Sequence, residues 1–387
     1  MDFETAKAAA ERLGCTVRAV QKWASEGKLP GAKKQSRDWL IPVTSSKPSE
    51  FNSDYDVSSV PYPITRSYEA GKAMEFINSI TDKDEKNMAL CEYYYFTGKL
   101  KESTILAEPY LDSKNPILRM SAALFCIFSN FCRGHMAKSH YAVEILKTAR
   151  EIFLDSDAPW ELKAVSAFSS VTVKTQLHLP FEKVPPINDY IKYLPDGIKL
   201  ISCYLIAYSE YFNKDYAKSV GIAETALCMF KKPYPMAEIY LNIISAMSYI
   251  NLMQVDKAKE AIARAWALAE KDGYIMPFVE HYNLLQGVIE KHFKKEYKAA
   301  YDLIIENVRL YNTSWYEMYN KTEGVTVADN LTHTEFTIAM LYSRNWRAKE
   351  IASHMELSER TIMNYISYIY DKLQINNKKE LEKFMLK

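Results

Sequence analysis

Few residues in this sequence are grouped in a way that could make or break covalent bonds. Cys132, His135 and His140 bring metal-binding side-chain types close together, yet their spacing fits no common ligand pattern and structural roles are expected. Gly98 and Lys99 look like the end of a phosphate loop, but no glycine precedes them at the required distance. Leu100 also stands where a Ser or Thr would be needed. No nucleophile, acid and base come together, so no enzyme activity, metal or cofactor is expected. The chemistry the sequence does offer is non-covalent. Near the N-terminus Thr16, Arg18, Gln21, Lys22, Lys33, Lys34 and Arg37 combine cations, an amide and a hydroxyl, and near the C-terminus Thr361, Met363, Asn364, Ser367 and Lys372 do the same. Such groups suit phosphates and base edges.

Positioning these groups requires elements, and composition limits their kind. A chain of 387 residues exceeds the size at which one core stops growing, so two or three domains are expected. With 48% hydrophobic and 25% charged residues it is an ordinary globular chain, and 11 glycines and 15 prolines leave little material for the turns of an all-β fold. The net charge of +1 conceals basic ends. Residues 1–47 carry nine Lys/Arg against five Asp/Glu and residues 331–387 nine against seven, which leaves the middle acidic. Basic ends suit nucleic acid, and the centre would meet something else. Six cysteines (Cys15, Cys91, Cys126, Cys132, Cys203, Cys228) without a CxxC pair read as reduced, buried thiols. Met1, Asp2 and Phe3 lead straight into a helix pattern with no signal peptide, and no apolar run is long enough to span a bilayer. The expectation is a cytoplasmic protein with no membrane partner.

In residues 1–42, Thr5 to Leu13 reads as a helix with Ala6, Ala9, Ala10 and Leu13 on one face, ended by Gly14. Thr16 caps a second helix that turns Val17, Val20 and Trp23 or Ala24 inward and Arg18, Gln21 and Lys22 outward. After Gly27 the stretch Lys28 to Pro42 reads as a tight basic hairpin, with Gly31 at the turn and Trp23 and Trp39 closing a miniature core. Val20, Trp23, Gly27 to Ala32 and Trp39 to Pro42 resemble the excisionase and MerR-like winged-helix family. That resemblance implies that Arg18, Gln21 and Lys22 face the DNA groove, with Lys33, Lys34 and Arg37 along the adjacent backbone. A charged face on a protein-interaction module is the plainer alternative. Residues 43–63, rich in Ser, Thr, Pro, Asp and Asn, read as a flexible linker.

From residue 64 to 325 the chain reads as consecutive helices. Phe212 to Tyr216 recurs as Phe293 to Tyr297 and as Phe96 to Leu100, while Asp256 to Lys259 echoes Asp215 to Lys218. A unit of roughly 40 residues that cannot bury its face alone predicts an α-solenoid. In Asp256 to Leu268, Ala258, Ala261, Ala265 and Leu268 make a small-residue face. The pattern resembles the tetratricopeptide family in its longer, irregular form, with the usual Trp, Leu-Gly and Pro positions mostly absent. The many aromatic residues are expected to form repeat core, with a ligand groove as the alternative.

The last part, residues 331–387, reads as three helices, the third capped by Ser358 and carrying Ile362, Ile366, Ile369 and Leu373 as a one-sided stripe. Thr361, Met363, Asn364, Ser367 and Tyr368 must then project outward. Leu331 Thr332, Glu335, Lys349 to Ala352, Leu357 Ser358, Arg360 to Ile362, Lys372 Leu373 and Asn377 together resemble the LuxR-type helix-turn-helix family. The resemblance implies Met363, Asn364 and Ser367 at the bases and Thr361 and Lys372 at the phosphate backbone. Three departures stand out: Met363 where the family has Lys or Arg, Tyr365 where it has His, and Asn345 for a common Gly. A lost cation at a base is worth about 1–3 kcal/mol, so weaker or A·T-leaning readout is expected.

The whole sequence thus predicts a mainly α protein: an N-terminal winged helix-turn-helix, a central α-solenoid of tetratricopeptide-like helix pairs, and a C-terminal LuxR-type helix-turn-helix. The expected function is sequence-specific transcriptional regulation on double-stranded DNA. A homodimer is expected, with a peptide, small-molecule or protein effector at the repeats. A repeat-based interaction adaptor with vestigial DNA-binding ends is the alternative.

Overall fold

The computed structural model describes residues 3–13, 16–25, 29, 31–35, 38–43, 45, 59–154, 158–177, 184–323 and 331–385. Gly14, Cys15, Gly27, Lys28, Pro30, Ser36, Arg37 and residues 46–58 of the expected linker lie outside them. The chain divides into two compact units, Met1–Tyr55 and Asp56–Lys387, and the fold is mainly α.

In the first unit, β1 (Phe3–Thr5) precedes α1 (Ala6–Arg12) and α2 (Val17–Ser25), and β2 (Lys33–Gln35) and β3 (Asp38–Pro42) form the hairpin. The opening residues are therefore a strand, not the start of a helix. Phe3 pairs with Pro42 and Thr5 with Leu40, giving the antiparallel sheet order β1-β3-β2. Thr5 ends the strand by accepting the Ala8 N–H at 3.3 Å, which caps α1. Ala6, Ala9, Ala10, Val20, Trp23, Ala24, Leu29 and Ile41 form the core, with Leu13 and Trp39 packed against it. Val17, expected inward, is exposed: it sits on the first turn of α2, outside this core cluster.

The second unit opens with a packed segment where the linker was expected to end. Tyr62 is buried and Pro63–Thr65 forms a 3₁₀ turn. Helices follow as α3 (Ala73–Ser79), α4 (Lys83–Phe96), α5 (Leu100–Ala107), α6 (Pro116–Cys132), α7 (Met136–Leu154), α8 (Trp160–Leu177), α9 (Asp196–Phe212), α10 (Tyr216–Met229), α11 (Pro235–Asn251) and α12 (Val255–Ala269). The unit closes with α13 (Met276–His281), α14 (Val288–Glu296), α15 (Lys298–Glu323), α16 (His333–Ser343), α17 (Ala348–Met355), α18 (Glu359–Leu373) and α19 (Lys378–Leu381). Cys91, Cys126 and Cys132 are buried as expected, but Cys203 is half-buried and Cys228 exposed.

Four helix pairs, α4–α5, α6–α7, α9–α10 and α11–α12, share one turn. Its left-handed residue is Gly98, Gly134, Lys214 or Met253. In each turn that residue's N–H reaches back three residues and the next N–H reaches back five, as Lys214 to the Tyr211 carbonyl and Asp215 to Glu210. This closes the helix end by satisfying carbonyls that would otherwise lack donors. Gly98 thus belongs to a helix cap, not to a phosphate loop. Small residues let the paired helices approach: Ser139 donates to the Ile127 carbonyl at 3.1 Å and Ser219 to Ala207 at 2.8 Å, while Ala246 and Ala258 are fully buried at the same separation in the fourth pair. After α8, Pro185 and Pro186 oppose helix, and two 3₁₀ turns (Ile187–Asp189, Ile191–Tyr193) follow instead. The copy Phe293 to Tyr297 is displaced, since Phe293 lies inside α14 and Tyr297 at its end.

Tyrosines supply much of the core between these helices. Tyr204, Tyr208 and Tyr240 surround the His281 ring at 5.6–5.7 Å. Tyr204 donates to His281 Nε2 at 2.6 Å, which leaves Nδ1–H for the Pro277 carbonyl at 2.7 Å. Beside it Glu280 accepts from the Tyr95 and Tyr240 hydroxyls. Burial pushes the Glu280 carboxyl up to about 7 against the pull of those donors, and burial lowers the His281 imidazole to about 4.

Candidate nucleic-acid interface

At the C-terminal end, helix polarity and capping aim the candidate residues. Thr332 accepts the Glu335 N–H at 3.3 Å and donates its own N–H to the Glu335 carboxylate at 2.7 Å, a reciprocal cap that starts α16. Glu356 in the left-handed region ends α17, and Ser358 restarts the chain as α18 by accepting the Thr361 N–H at 3.0 Å. Ile362, Ile366, Ile369 and Leu373 are buried. Helical period then turns Met363, Asn364, Ser367 and Tyr368 outward, Met363 52% and Tyr368 61% exposed. Thr361 is half-buried, its hydroxyl 2.7 Å from that of Ser358. Asn345 adopts a φ of 71°, the left-handed conformation that a glycine would otherwise take and that Asn tolerates.

Lys372 is placed differently from the other candidates. Its ammonium donates to both oxygens of Glu335 at 2.7 and 2.8 Å, tying the end of α18 to the start of α16. Burial raises the Glu335 carboxyl, but the Lys372 ammonium and the Thr332 donors outweigh it and hold the carboxyl below the ordinary range. Two motif residues not chosen as DNA contacts are also exposed cations: Arg360 in the first turn of α18 and Lys349 in the first turn of α17. Their place near helix N-termini, where anions are favoured, was the available signal.

α16 and α17 also pack on the preceding helices. The Arg344 guanidinium donates to the Tyr211 hydroxyl and, at 2.7 Å, to Asn251 Oδ1, and lies 5.1 Å from the Tyr211 ring. His354 Nε2–H donates to the Gln286 carbonyl at 2.6 Å, and Tyr282 meets the His333 ring at 5.3 Å. Gly287, with φ of 88°, admits Met355: a Cβ there would lie 3.0 Å from its sulfur. None of these contacts uses the outward residues of α18.

In the first unit Thr16, Arg18, Gln21 and Lys22 are exposed along α2, Arg18 lying three and four residues before Gln21 and Lys22 on neighbouring turns. On β2, Lys33 opposes Leu40 and Lys34 opposes Trp39, so strand alternation sends the two lysines to opposite faces of the wing. The Lys33 ammonium lies 5.2 Å from the Phe3 ring. Arg37 is outside the described residues.

Among the described residues no group of three or more His, Cys, Asp or Glu could hold a metal ion, and no helix is long and apolar enough to cross a membrane. Residues 329–385 match a family model described as bacterial regulatory proteins, luxR family, and residues 5–45 match one described as a helix-turn-helix domain. No curated protein and no solved structure matches the chain. Neither matching model is catalytic. The chain therefore carries a LuxR-family helix-turn-helix near its C-terminal end and a second helix-turn-helix domain near its N-terminal end, the equipment of a DNA-binding transcriptional regulator.

Proposed function

We propose that this protein regulates transcription by sequence-specific binding to double-stranded DNA, with labour divided between its two helix-turn-helix modules. The carrying observation is the outward face of α18, where Asn364, Ser367 and Met363 stand clear of every packing contact described. Asn364 suits the N6/N7 edge of adenine and Met363 the methyl of thymine, which leans readout toward A·T pairs. Thr361, Arg360 and Lys349 hold phosphates nearby, while Lys372 positions α18 through Glu335. In the first unit Arg18, Gln21 and Lys22 enter the groove, and Thr16, Lys33, Lys34 and Arg37 serve the backbone.

The helix pairs act as a tetratricopeptide-like repeat domain that receives a peptide, small molecule or protein, and the protein works as a homodimer. The shared turn and the small-residue contacts between paired helices support the repeat reading. Selection from a genomic DNA library with excess nonspecific competitor tests the function: one or a few enriched sequences are expected, and no enrichment refutes it. The scarcity of cations on the α18 face favours an adaptor as the rival. That rival wins if Arg18→Ala with Lys22→Ala leaves cellular output unchanged while substitutions in the repeats abolish it.

A further inference from the structure

Residues 60–66 run across the repeat helices without joining any helix pair. Tyr62 inserts its ring beside Phe125 of α6 and Phe168 of α8, at centroid distances of 6.3 and 5.2 Å, and its hydroxyl lies 2.6 Å from Ser169 Oγ. The Ile64 N–H donates to Glu92 Oε2 of α4 at 2.9 Å. The Thr65 carbonyl presses onto α9 at Gly197, where a Cβ would lie 1.8 Å from the oxygen. A pocket for one aromatic ring, a buried acceptor for a backbone N–H and a missing Cβ for a backbone carbonyl are the parts of a site that recognises a turned peptide. They come from four helices and meet on one short segment.

Two features make the present occupant replaceable. Tyr62 is held at φ of 50°, a left-handed conformation that a bulky residue seldom adopts. Glu92 is fully buried and its Oε1 has no partner among the described residues. Burial raises the Glu92 carboxyl well above its ordinary range. A ligand that brings a hydrogen-bonding group to Oε1 satisfies the second feature.

We propose that this surface of α4, α6, α8 and α9 is a peptide-binding site, that residues 60–66 fill it as an internal ligand, and that its external ligand is a turn-forming peptide carrying Tyr-Pro. The proposal rests on reading the repeats as the receiving part of the protein. Ligand binding displaces the segment that leads toward the N-terminal unit, which couples peptide recognition to the tether of one DNA-binding module.

The test uses a fluorescein-labelled peptide with the sequence of residues 59–66, Ser-Val-Pro-Tyr-Pro-Ile-Thr-Arg, and the full chain. In anisotropy titrations it is expected to bind the Tyr62→Ala chain saturably and about 10-fold or more tighter than wild type, because the internal competitor is gone. The same peptide with alanine in place of its tyrosine is expected not to bind. No saturable binding to a helical Tyr62→Ala chain, or equal binding of the alanine peptide, overturns the proposal. Should that variant not fold, hydrogen exchange on wild type decides. Excess peptide must speed exchange of residues 60–66 while protecting α4 and α8, and unchanged exchange in both regions overturns the idea. DNA selection on the same preparation separates this failure from failure of the regulator reading.

Discussion

The two helix-turn-helix modules reach the same task by opposite means. The N-terminal one is a compact unit of its own, built on alanines, two small helices and a three-stranded sheet, and it exposes cations along α2 and β2. The C-terminal one shares a compact unit with the central helices, anchored through Arg344, His354 and Met355. Its outward helix offers an amide, a hydroxyl and a thioether, and one nearby cation, Lys372, is engaged by Glu335. Phosphate contacts give affinity without sequence information, whereas base-edge contacts discriminate. In the proposed function, affinity falls mainly to the first module and discrimination mainly to the second.

The strongest way to break this division is to remove the N-terminal cations. Lys33→Ala with Lys34→Ala should weaken DNA binding about 30-fold and reduce the salt slope by about 1–2, on specific and random duplexes alike. Filter binding across a salt series measures both, and a loss confined to one sequence would reverse the assignment. Asn364→Ala tests the other half. It should cost about 1–3 kcal/mol on the selected site and leave random-duplex affinity unchanged.

The anchoring of the second module can be tested apart from DNA. Arg344→Ala removes charged hydrogen bonds to Tyr211 and Asn251 and should lower stability by about 2 kcal/mol, with α16–α19 exchanging amide protons faster than α11. Unchanged exchange would mean that Arg344 is not the anchor. The smallest effect is expected from Lys372→Met, about 1 kcal/mol at neutral pH because the lysine is partly exposed. The Glu335 carboxyl is lowered in the folded protein, so its contribution is present above the ordinary value of 4.5 and disappears as pH falls through the lowered one. Denaturant melts of variant and wild type should therefore converge in acid. A drop of about one in the salt slope of DNA binding would instead place Lys372 on phosphate.

Much of both modules is legible in local sequence. Ser358 with the stripe Ile362, Ile366, Ile369 and Leu373 determines which side of α18 is buried and hence which residues face out. Alanines at helical spacing did the same for α1. Short-range rules succeed there because a cap and a period act within a few residues. They missed β1, since three residues acquire strand identity only by pairing with β3, more than thirty residues away. The linker reading failed at Tyr62 for the same reason: Pro, Ser and Thr signal irregular backbone, but its pocket is assembled from α6 and α8.

By itself, then, the sequence determined the helical class, the two modules and the faces they present, because amphipathic period and capping are local. Only tertiary structure decided which candidate cations are held by carboxylates, how the second module is anchored, and where Tyr62 is buried. The four shared turns illustrate the limit. Gly98, Gly134, Lys214 and Met253 have no common side chain, and only the backbone conformation that closing a helix end demands makes them equivalent.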